Sequence, residues 1–239
     1  MTAGLSTQDI RTDAREIKCV VDLATAARIR DWARSRLTAD PHGSGAHQDE
    51  YRTASLYFDT DALDVFHRRG SFGRSKYRIR RYGASDVVFL ERKMRTKALL
   101  NKRRTIVALT GLTHLEADRH DGWAGDWFRR RVDARRLHVK SQVWYHRTAR
   151  VGQSPYGMFR LTVDDAIETR PAAAAAFQPL SGIPVLPNAA IVELKFTHEM
   201  PAIFKHLVEE FDLRARAISK YRLAMVALGE RDSVEVAHA

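Results

Sequence analysis

The stretch KYRIRRYG, residues Lys76–Gly83, carries the pattern that decides the fold of this chain. Aromatic or branched residues alternate with basic residues in it, which predicts a β-strand. Lys76, Arg78 and Arg80 then share one face of that strand, and Tyr77 lies on the other face. Like charges side by side repel, so the basic face lies either in open water or against a strongly anionic ligand.

The same alternation recurs along the chain. Carboxylate and ammonium side chains two residues apart lie on one side of a strand in each of these pairs: Glu16 and Lys18, Glu91 and Lys93, Glu193 and Lys195. A solvated charged face would explain any single strand. Repeated over several strands with apolar opposite faces, the pattern instead predicts a barrel with a polar lumen and an outer coat of helices.

The fold class expected from these runs is α+β, a closed eight-stranded antiparallel β-barrel, or tunnel, with a polar lumen and helices packed outside. Helical spacing of apolar residues follows the first strand and recurs after Pro201, where it predicts two C-terminal helices. The expected domain organisation is a flexible leader over residues 1–14, a single tunnel domain over 15–229 and a flexible tail over 230–239.

Composition restricts the class of partner. The chain has 239 residues, with Lys plus Arg 40 and Asp plus Glu 29, a formal net charge of +11. An anionic partner would explain this excess, although an Arg-rich proteome with solvated basic faces is an alternative.

The single cysteine, Cys19, excludes an internal disulfide and a cysteine-based zinc site. No apolar run reaches membrane-spanning length and no signal peptide precedes Arg15, so a cytoplasmic protein is expected.

A lumen with many cations and few carboxylates matches a polyphosphate chain with a divalent metal. Lysine and arginine neutralise phosphate oxygens, and glutamate or aspartate can hold Mg²⁺ or Mn²⁺ that bridges phosphates. The alternating pattern ties the basic residues to strand faces rather than to exposed aromatic platforms, so nucleic acid is not the expected ligand.

The order of these motifs resembles one known family, the VTC domain, which is a polyphosphate polymerase domain of the triphosphate tunnel metalloenzyme, or CYTH-like, superfamily. The resemblance covers about residues 15 to 225 and rests on a series of short motifs: SLYFDT (55–60), KYRIRRYG (76–83), FLERK (89–93), NKRR (101–104), YHRTA (145–149), FRLTVDD (159–165), VELKF (192–196) and SKYRLAM (219–225). The first strand reads Ala14-Arg15-Glu16-Ile17-Lys18, with one in-phase carboxylate where many tunnel enzymes have ExExK. This departure favours the VTC branch.

The resemblance implies that the γ-phosphoryl group of ATP is transferred to a growing polyphosphate chain with Mn²⁺ or Mg²⁺. It implies a phosphate-binding set formed by Lys18, Lys76, Arg78, Arg80, Lys93, Lys102, Arg147, Arg160, Lys195 and Lys220. The residues expected to act in catalysis are Arg78, Arg80, Lys102, Arg160 and Glu193. Glu193 is the expected principal metal ligand, with Glu16 and Glu91 as second ligands or as ion-pair partners that orient the neighbouring lysines.

Three functions remain open from the sequence. Phosphoryl transfer relies on positioning and charge neutralisation rather than on a protein nucleophile, which suits a polymerase. Hydrolysis of inorganic or nucleoside triphosphate would use the same lumen, with water as the acceptor. A non-catalytic binder of polyphosphate or nucleic acid would need the cations alone.

Overall fold

A computed structural model describes residues 7–12, 14–95, 100–116, 122–179 and 181–231. It is an α+β fold with one large antiparallel sheet. In the described residues the strands are β1 Thr7–Thr12, β2 Ala14–Asp22, β3 Thr38–Ala39, β4 Glu50–Asp59, β5 Ser75–Tyr82, β6 Val87–Arg95, β7 Leu100–Ala108, β8 His138–Ser154, β9 Gly157–Pro171, β10 Ile183–Pro184 and β11 Ala189–Thr197. The α-helices are α1 Leu23–Arg36, α2 Asp126–Ala134, α3 Ala202–Glu210 and α4 Lys220–Ala227.

The prediction of a closed eight-stranded barrel was wrong. The sheet has 11 strands, and its hydrogen-bonded order runs β1-β7-β6-β5-β4-β8-β9-β11-β2, with β3 and β10 attached to β8 and β9. At the two ends of this order, β1 pairs with β7 and β2 pairs with β11, and the sheet is not closed. Alternation along a strand shows which face is polar, but it carries no information about the partner of an edge strand, so closure could not be read from the sequence.

The sheet nevertheless curls strongly around its charged side. Glu16 of β2, at one end of the strand order, lies 2.9 Å from the Nζ of Lys93 on β6, several strands away. Contact between strands so distant in the sheet requires curvature toward the charged face. We call this charged side the inner face and the opposite, apolar side the outer face.

The outer face is covered by helices, as expected. Around α1 and α3, Trp32 and Phe204 are among the residues packed against apolar side chains of β9, β11 and β2. Around α2, Phe128 packs edge to face on Phe58 and Tyr77, which project from β4 and β5. Burial of large aromatic side chains supplies much of the stabilisation of such layers.

Helix α4 differs from the helices of the outer coat because it begins on the inner face. Its Tyr221 stacks on Tyr57 with ring centroids 5.3 Å apart, and the Nζ of Lys220 lies 2.6 Å from Asp164. Ser219 caps the helix by accepting a hydrogen bond from the backbone of Arg222. The first turn of α4 is polar and the rest of the helix is apolar. The helix can therefore cover part of the inner face while Lys220 contacts the charged residues there.

The domain boundaries proposed at residues 15 and 229 stay a prediction. Within the expected leader, residues 7–12 form the edge strand β1 rather than a flexible segment, because their backbone pairs with β7 from Thr105 to Leu100. Parts of the expected leader and tail lie outside the described residues, namely residues 1–6 and 13 of the leader and residues 232–239 of the tail. In the described part of the chain, no helix combines the length and the apolar character needed to cross a bilayer.

Asp59 organises the turn that leaves β4. Its fully buried carboxylate accepts hydrogen bonds from the backbone N–H groups of Thr60, Val65 and Phe66 and from the hydroxyl of Tyr221. Burial and this carboxylate raise the pKa of Tyr221 above its usual range. These contacts give Asp59 a turn-forming role.

We predict that Asp59→Ala lowers the free energy of unfolding by about 3 kcal/mol, because several buried donors lose their acceptor at once. Urea denaturation followed by circular dichroism measures this loss. The matched control is Asp61→Ala, since the Asp61 side chain is 81% exposed and pairs with Lys140, and a change within about 0.5 kcal/mol is expected there. Equal losses in the two variants would contradict the role assigned to Asp59.

Candidate functional site

The inner face gathers the predicted cations from seven strands and α4. The structure places them on β2 (Lys18), β5 (Lys76, Arg78, Arg80), β6 (Lys93), β7 (Lys102), β8 (Arg147), β9 (Arg160), β11 (Lys195) and α4 (Lys220). Strand register explains part of this arrangement, because Lys76 is paired with Lys93 and Lys93 with Lys102 on neighbouring strands. Lys195, paired with Arg160 and Glu16, is the exposed member of the set.

Glu91 is the centre of one group of cations. Arg78 donates from Nε to its carboxylate at 2.6 Å, Lys102 Nζ lies 2.8 Å away and Arg104 Nε lies 3.3 Å away. The glutamate side chain is only 2% exposed. Burial alone would raise its pKa, but the surrounding cations hold the pKa of Glu91 well below the usual range. Glu91 therefore stays ionised and fixes these cations in place.

Asp164 is the centre of a second group. Arg147 binds it through two hydrogen bonds, Nε to Oδ1 at 2.6 Å and Nη2 to Oδ2 at 2.7 Å, and Lys220 of α4 reaches Oδ2. Although burial opposes ionisation, Arg147 and Lys220 lower the pKa of Asp164 well below its usual value. The bidentate geometry fixes the plane of the guanidinium, and the lysine ties α4 to the sheet.

Glu16 and Glu193 form a third, more open group. Glu16 pairs with Lys18 at 2.7 Å and with Lys93 at 2.9 Å, while Glu193 lies opposite Lys18 in the β11–β2 register. Burial would raise the pKa of Glu16, but Lys18, Lys93 and a hydrogen-bond contact with Glu193 lower it. Burial would in turn lower the pKa of Lys18, yet Glu193 and Glu16 raise it. The two carboxylates are thus neighbours that share one lysine.

Two lysines of the inner face titrate near neutral pH. Burial and the nearby charges of Lys18 and Lys93 lower the pKa of Lys76 to about 7, and its Nζ donates to Ser219 Oγ at 2.8 Å. Burial lowers the pKa of Lys102 to about 8 even though Glu91 opposes the shift. An anion bound beside either lysine would raise the pKa of that lysine and favour its charged form.

The remaining predicted residues have polar partners. Arg80 donates from Nε to Ser55 Oγ at 3.2 Å and is 6% exposed. Arg160 donates to the hydroxyl of Tyr51, and its Nη2 lies 3.0 Å from Asp40. The Arg160 side chain keeps 33% of its surface exposed, which leaves it accessible to a ligand.

Further side chains of the inner face lie outside the predicted phosphate-binding set. The alternation of the strand places Arg104 on the same face as Lys102, and the structure shows that it contacts Glu91. Tyr82 lies in phase with Arg80, and its hydroxyl accepts a hydrogen bond from Nη2 of Arg104 at 3.3 Å. Asp40 precedes β4 in a turn-rich segment, and no spacing in the sequence signals its contact with Arg160.

Arginines one position out of phase with the inner cations face away from the inner face, as the two-residue period of a strand requires. Arg81 donates to the backbone carbonyls of Ser85 and Ala84. Arg103 lies over the Trp127 ring of α2, with its guanidinium carbon 4.5 Å from the ring centroid. The alternation of side chains along a strand therefore separates the cations of the inner face from those of the outer face.

The surroundings of the carboxylates determine which of them could hold a metal ion. Across the described ranges, no group of three or more His, Cys, Asp or Glu residues is arranged to hold an ion. Glu91 is enclosed by Arg78, Lys102 and Arg104, so its contacts fit the ion-pair role. Glu16 and Glu193 fit better, because Mg²⁺ is commonly held by one or two carboxylates together with substrate phosphate oxygens.

Comparisons with known proteins agree with this geometry. The sequence matches the family model of the VTC domain over residues 13–228. A search of curated proteins found no match.

Among solved structures, a Bacillus halodurans protein described as a "putative adenylate cyclase" is similar to this chain with a TM-score of 0.55 and 17% sequence identity, over 87% of this chain and 95% of that one. A Hippeastrum protein described as a "putative adenylyl cyclase" with a dominant triphosphatase activity has a TM-score of 0.50 and 15% identity, over 92% of this chain and 98% of that one. At these identities the likeness concerns the fold alone. Because the family match spans nearly the whole described chain, this protein belongs to the VTC domain family.

Proposed function

We propose that this protein is a metal-dependent polyphosphate polymerase, which transfers the γ-phosphoryl group of ATP to a growing polyphosphate chain. The observation that carries the proposal is the inner face itself. Cations from many strands converge there, and the carboxylates among them are too few to neutralise the set. A chain of phosphates supplies several negative charges in a row, which this arrangement accepts better than a single small anion.

The residues proposed for chemistry bind and orient phosphates. Arg78 and Lys102 are each held by Glu91 and keep 26% of their side-chain surface exposed, so they are fixed yet reachable. Arg80 and Arg160, with their hydroxyl partners, extend this surface toward the ends of β5 and β9. Positioning of this kind supplies much of the rate of phosphoryl transfer, since the reaction needs no covalent intermediate on the protein.

Glu193 and Glu16 would hold the Mn²⁺ or Mg²⁺. The ion would neutralise charge on the phosphoryl oxygens during transfer. Lys18 is shared by the two carboxylates and would keep them together before the ion binds. The remaining cations proposed for substrate, Lys76, Lys93, Arg147, Lys195 and Lys220, would contact phosphates further along the chain.

Hydrolysis of a triphosphate is the second candidate, and the position of α4 favours it. The helix begins on the inner face, where Lys220 and Tyr221 contact Asp164 and Tyr57. A polymer needs an unobstructed way out of the site, whereas a triphosphate and its products do not. The triphosphatase activity attributed to the Hippeastrum protein agrees with this alternative.

Incubation of the purified protein with ATP and Mn²⁺ separates the candidates. Long chains on a polyphosphate-stained gel support synthesis, whereas release of orthophosphate alone identifies a triphosphatase and rejects polymerase activity. A non-catalytic binder would neither synthesise polyphosphate nor release orthophosphate. Its affinity for polyphosphate would be the same after Glu193→Gln as before. The proposal requires that this variant lose nearly all turnover.

We predict that Arg78→Gln reduces turnover of ATP at least about 100-fold, because a charge that stabilises the transferring phosphoryl group is lost. The control on the same strand is Arg81→Gln, whose side chain contacts the turn after β5 on the other face. This variant should keep turnover within about threefold of the unmodified protein. Steady-state rates with folding checked by circular dichroism give the comparison, and similar losses in both variants would count against the inner face as the site.

The pH dependence of anion binding gives a further prediction. The pKa of Lys76 is about 7 and that of Lys102 about 8 in the free protein, and a bound polyanion raises both. Binding therefore takes up protons, and affinity for tripolyphosphate should be constant below pH 7 and fall as the pH rises through 7 to 8. Arginine stays charged in this range, so Lys76→Arg should weaken the fall.

Calorimetric titrations from pH 6 to 9 measure this effect. The ratio of affinities of the two proteins at each pH removes the titration of the ligand itself. A ratio that stays constant over the whole range would show that Lys76 does not change its charge on binding.

A further inference from the structure

An aromatic group lies at one end of the inner face. Tyr51 of β4, Tyr82 of β5 and Phe89 of β6 come from neighbouring strands in the sheet order. The rings of Tyr51 and Tyr82 meet edge to face with centroids 5.6 Å apart, and those of Tyr82 and Phe89 with centroids 5.3 Å apart. We call these three residues the aromatic group.

The aromatic group is not part of the protein core. In the described residues, none of its members belongs to either hydrophobic cluster, and each ring is only partly buried. Tyr77 on the same strand shows the contrast, because it is 3% exposed and packs against Phe128. Rings that served only for packing would be buried in this way, so the aromatic group calls for a different explanation.

Guanidinium groups adjoin the rings. The guanidinium carbon of Arg104 lies 3.7 Å from the Phe89 ring centroid and 5.8 Å from that of Tyr82. Arg80 also approaches Tyr82, at 5.8 Å, and Arg160 donates to the Tyr51 hydroxyl. Two of these cations, Arg80 and Arg160, belong to the set proposed to bind phosphate.

The aromatic group and α4 lie at opposite ends of β5. The strand runs from Ser75 to Tyr82, and Lys76 near its start donates to Ser219 at the cap of α4. At about 3.4 Å per residue, Tyr82 lies roughly 20 Å along the strand from Lys76. A ligand with an anionic part and a flat apolar part could lie along this strand, with the flat part at the Tyr82 end.

Nucleobases have the chemistry that matches such a group. Aromatic side chains and guanidinium planes both stack on the π-face of a base, and neighbouring cations bind the attached phosphates. Inorganic triphosphate and polyphosphate have no π-face and would gain nothing from the rings.

We infer that Tyr82, together with Tyr51 and Phe89, forms a nucleobase site for the nucleoside triphosphate, whose phosphates lie along Arg80 and Arg78. The inference rests on the proposed function in that it takes a nucleotide as the phosphoryl donor. Such a base site would make the protein select a nucleoside triphosphate over an inorganic triphosphate.

Equilibrium binding to the full chain tests the inference without requiring turnover. Dissociation constants of ATP and of inorganic tripolyphosphate are measured by calorimetry for the unmodified protein, Tyr82→Ala and Tyr82→Phe. Tyr82→Ala should weaken ATP about tenfold, the order expected for one lost stacking contact, and leave tripolyphosphate within about twofold. Tyr82→Phe keeps the ring and should bind both ligands like the unmodified protein.

Other outcomes overturn the inference. Equal weakening of both ligands by Tyr82→Ala would show that the tyrosine supports phosphate binding, and unchanged ATP binding would show that no base lies on it. If Tyr82→Ala does not fold, Phe89→Leu is measured in the same way, and the same selective loss of ATP is required. Absence of polyphosphate synthesis would reject the proposed polymerase but would leave these binding ratios as the test of the base site.

Discussion

Buried carboxylates hold together a face that would otherwise repel itself. Glu91 and Asp164 are almost fully buried, and each is bound by more than one cation from different elements. Burial of these charges is costly and is offset only because the partners are close and well oriented. These ion pairs fix Arg78, Lys102 and Arg147 and hold the start of α4 on the inner face, while the contact between Glu16 and Lys93 accompanies the curl of the sheet.

Neutralisation on the inner face is incomplete, and that imbalance links structure to function. Burial and the nearby charges of Lys18 and Lys93 lower the pKa of Lys76 to about 7, so an anion bound there would favour its charged form. The more exposed side chains, such as Lys93 with 42% of its surface accessible, remain available to a ligand. Internal carboxylates therefore organise the inner face. The proposed polyanion would complete its neutralisation, and the proposed base site at Tyr82 would extend recognition beyond phosphate.

The sequence predicted the polar face well because a strand has a fixed period of two. Arg78 and Arg80 lie on the inner face, and Arg81 and Arg103 lie off it, as the alternation required. The same rule fails at irregularities. At Ala166, which has a φ of 45°, a bulge changes the alternation of β9 against β8, and no residue pattern signals it. The leader strand β1 was missed because a short polar edge strand has no apolar face to mark it.

The chain by itself determined which side chains are charged, which strand face each occupies and where α1 and the turn at Asp59 begin. Those features follow from local periodicity and from capping within a few residues. Only the tertiary structure decided that Glu16 meets Lys93, that Asp40 meets Arg160 and that Lys220 of α4 reaches Asp164. It also decided that the sheet is not closed, since contacts between distant segments depend on curvature and edge pairing, which alternation within one strand does not encode.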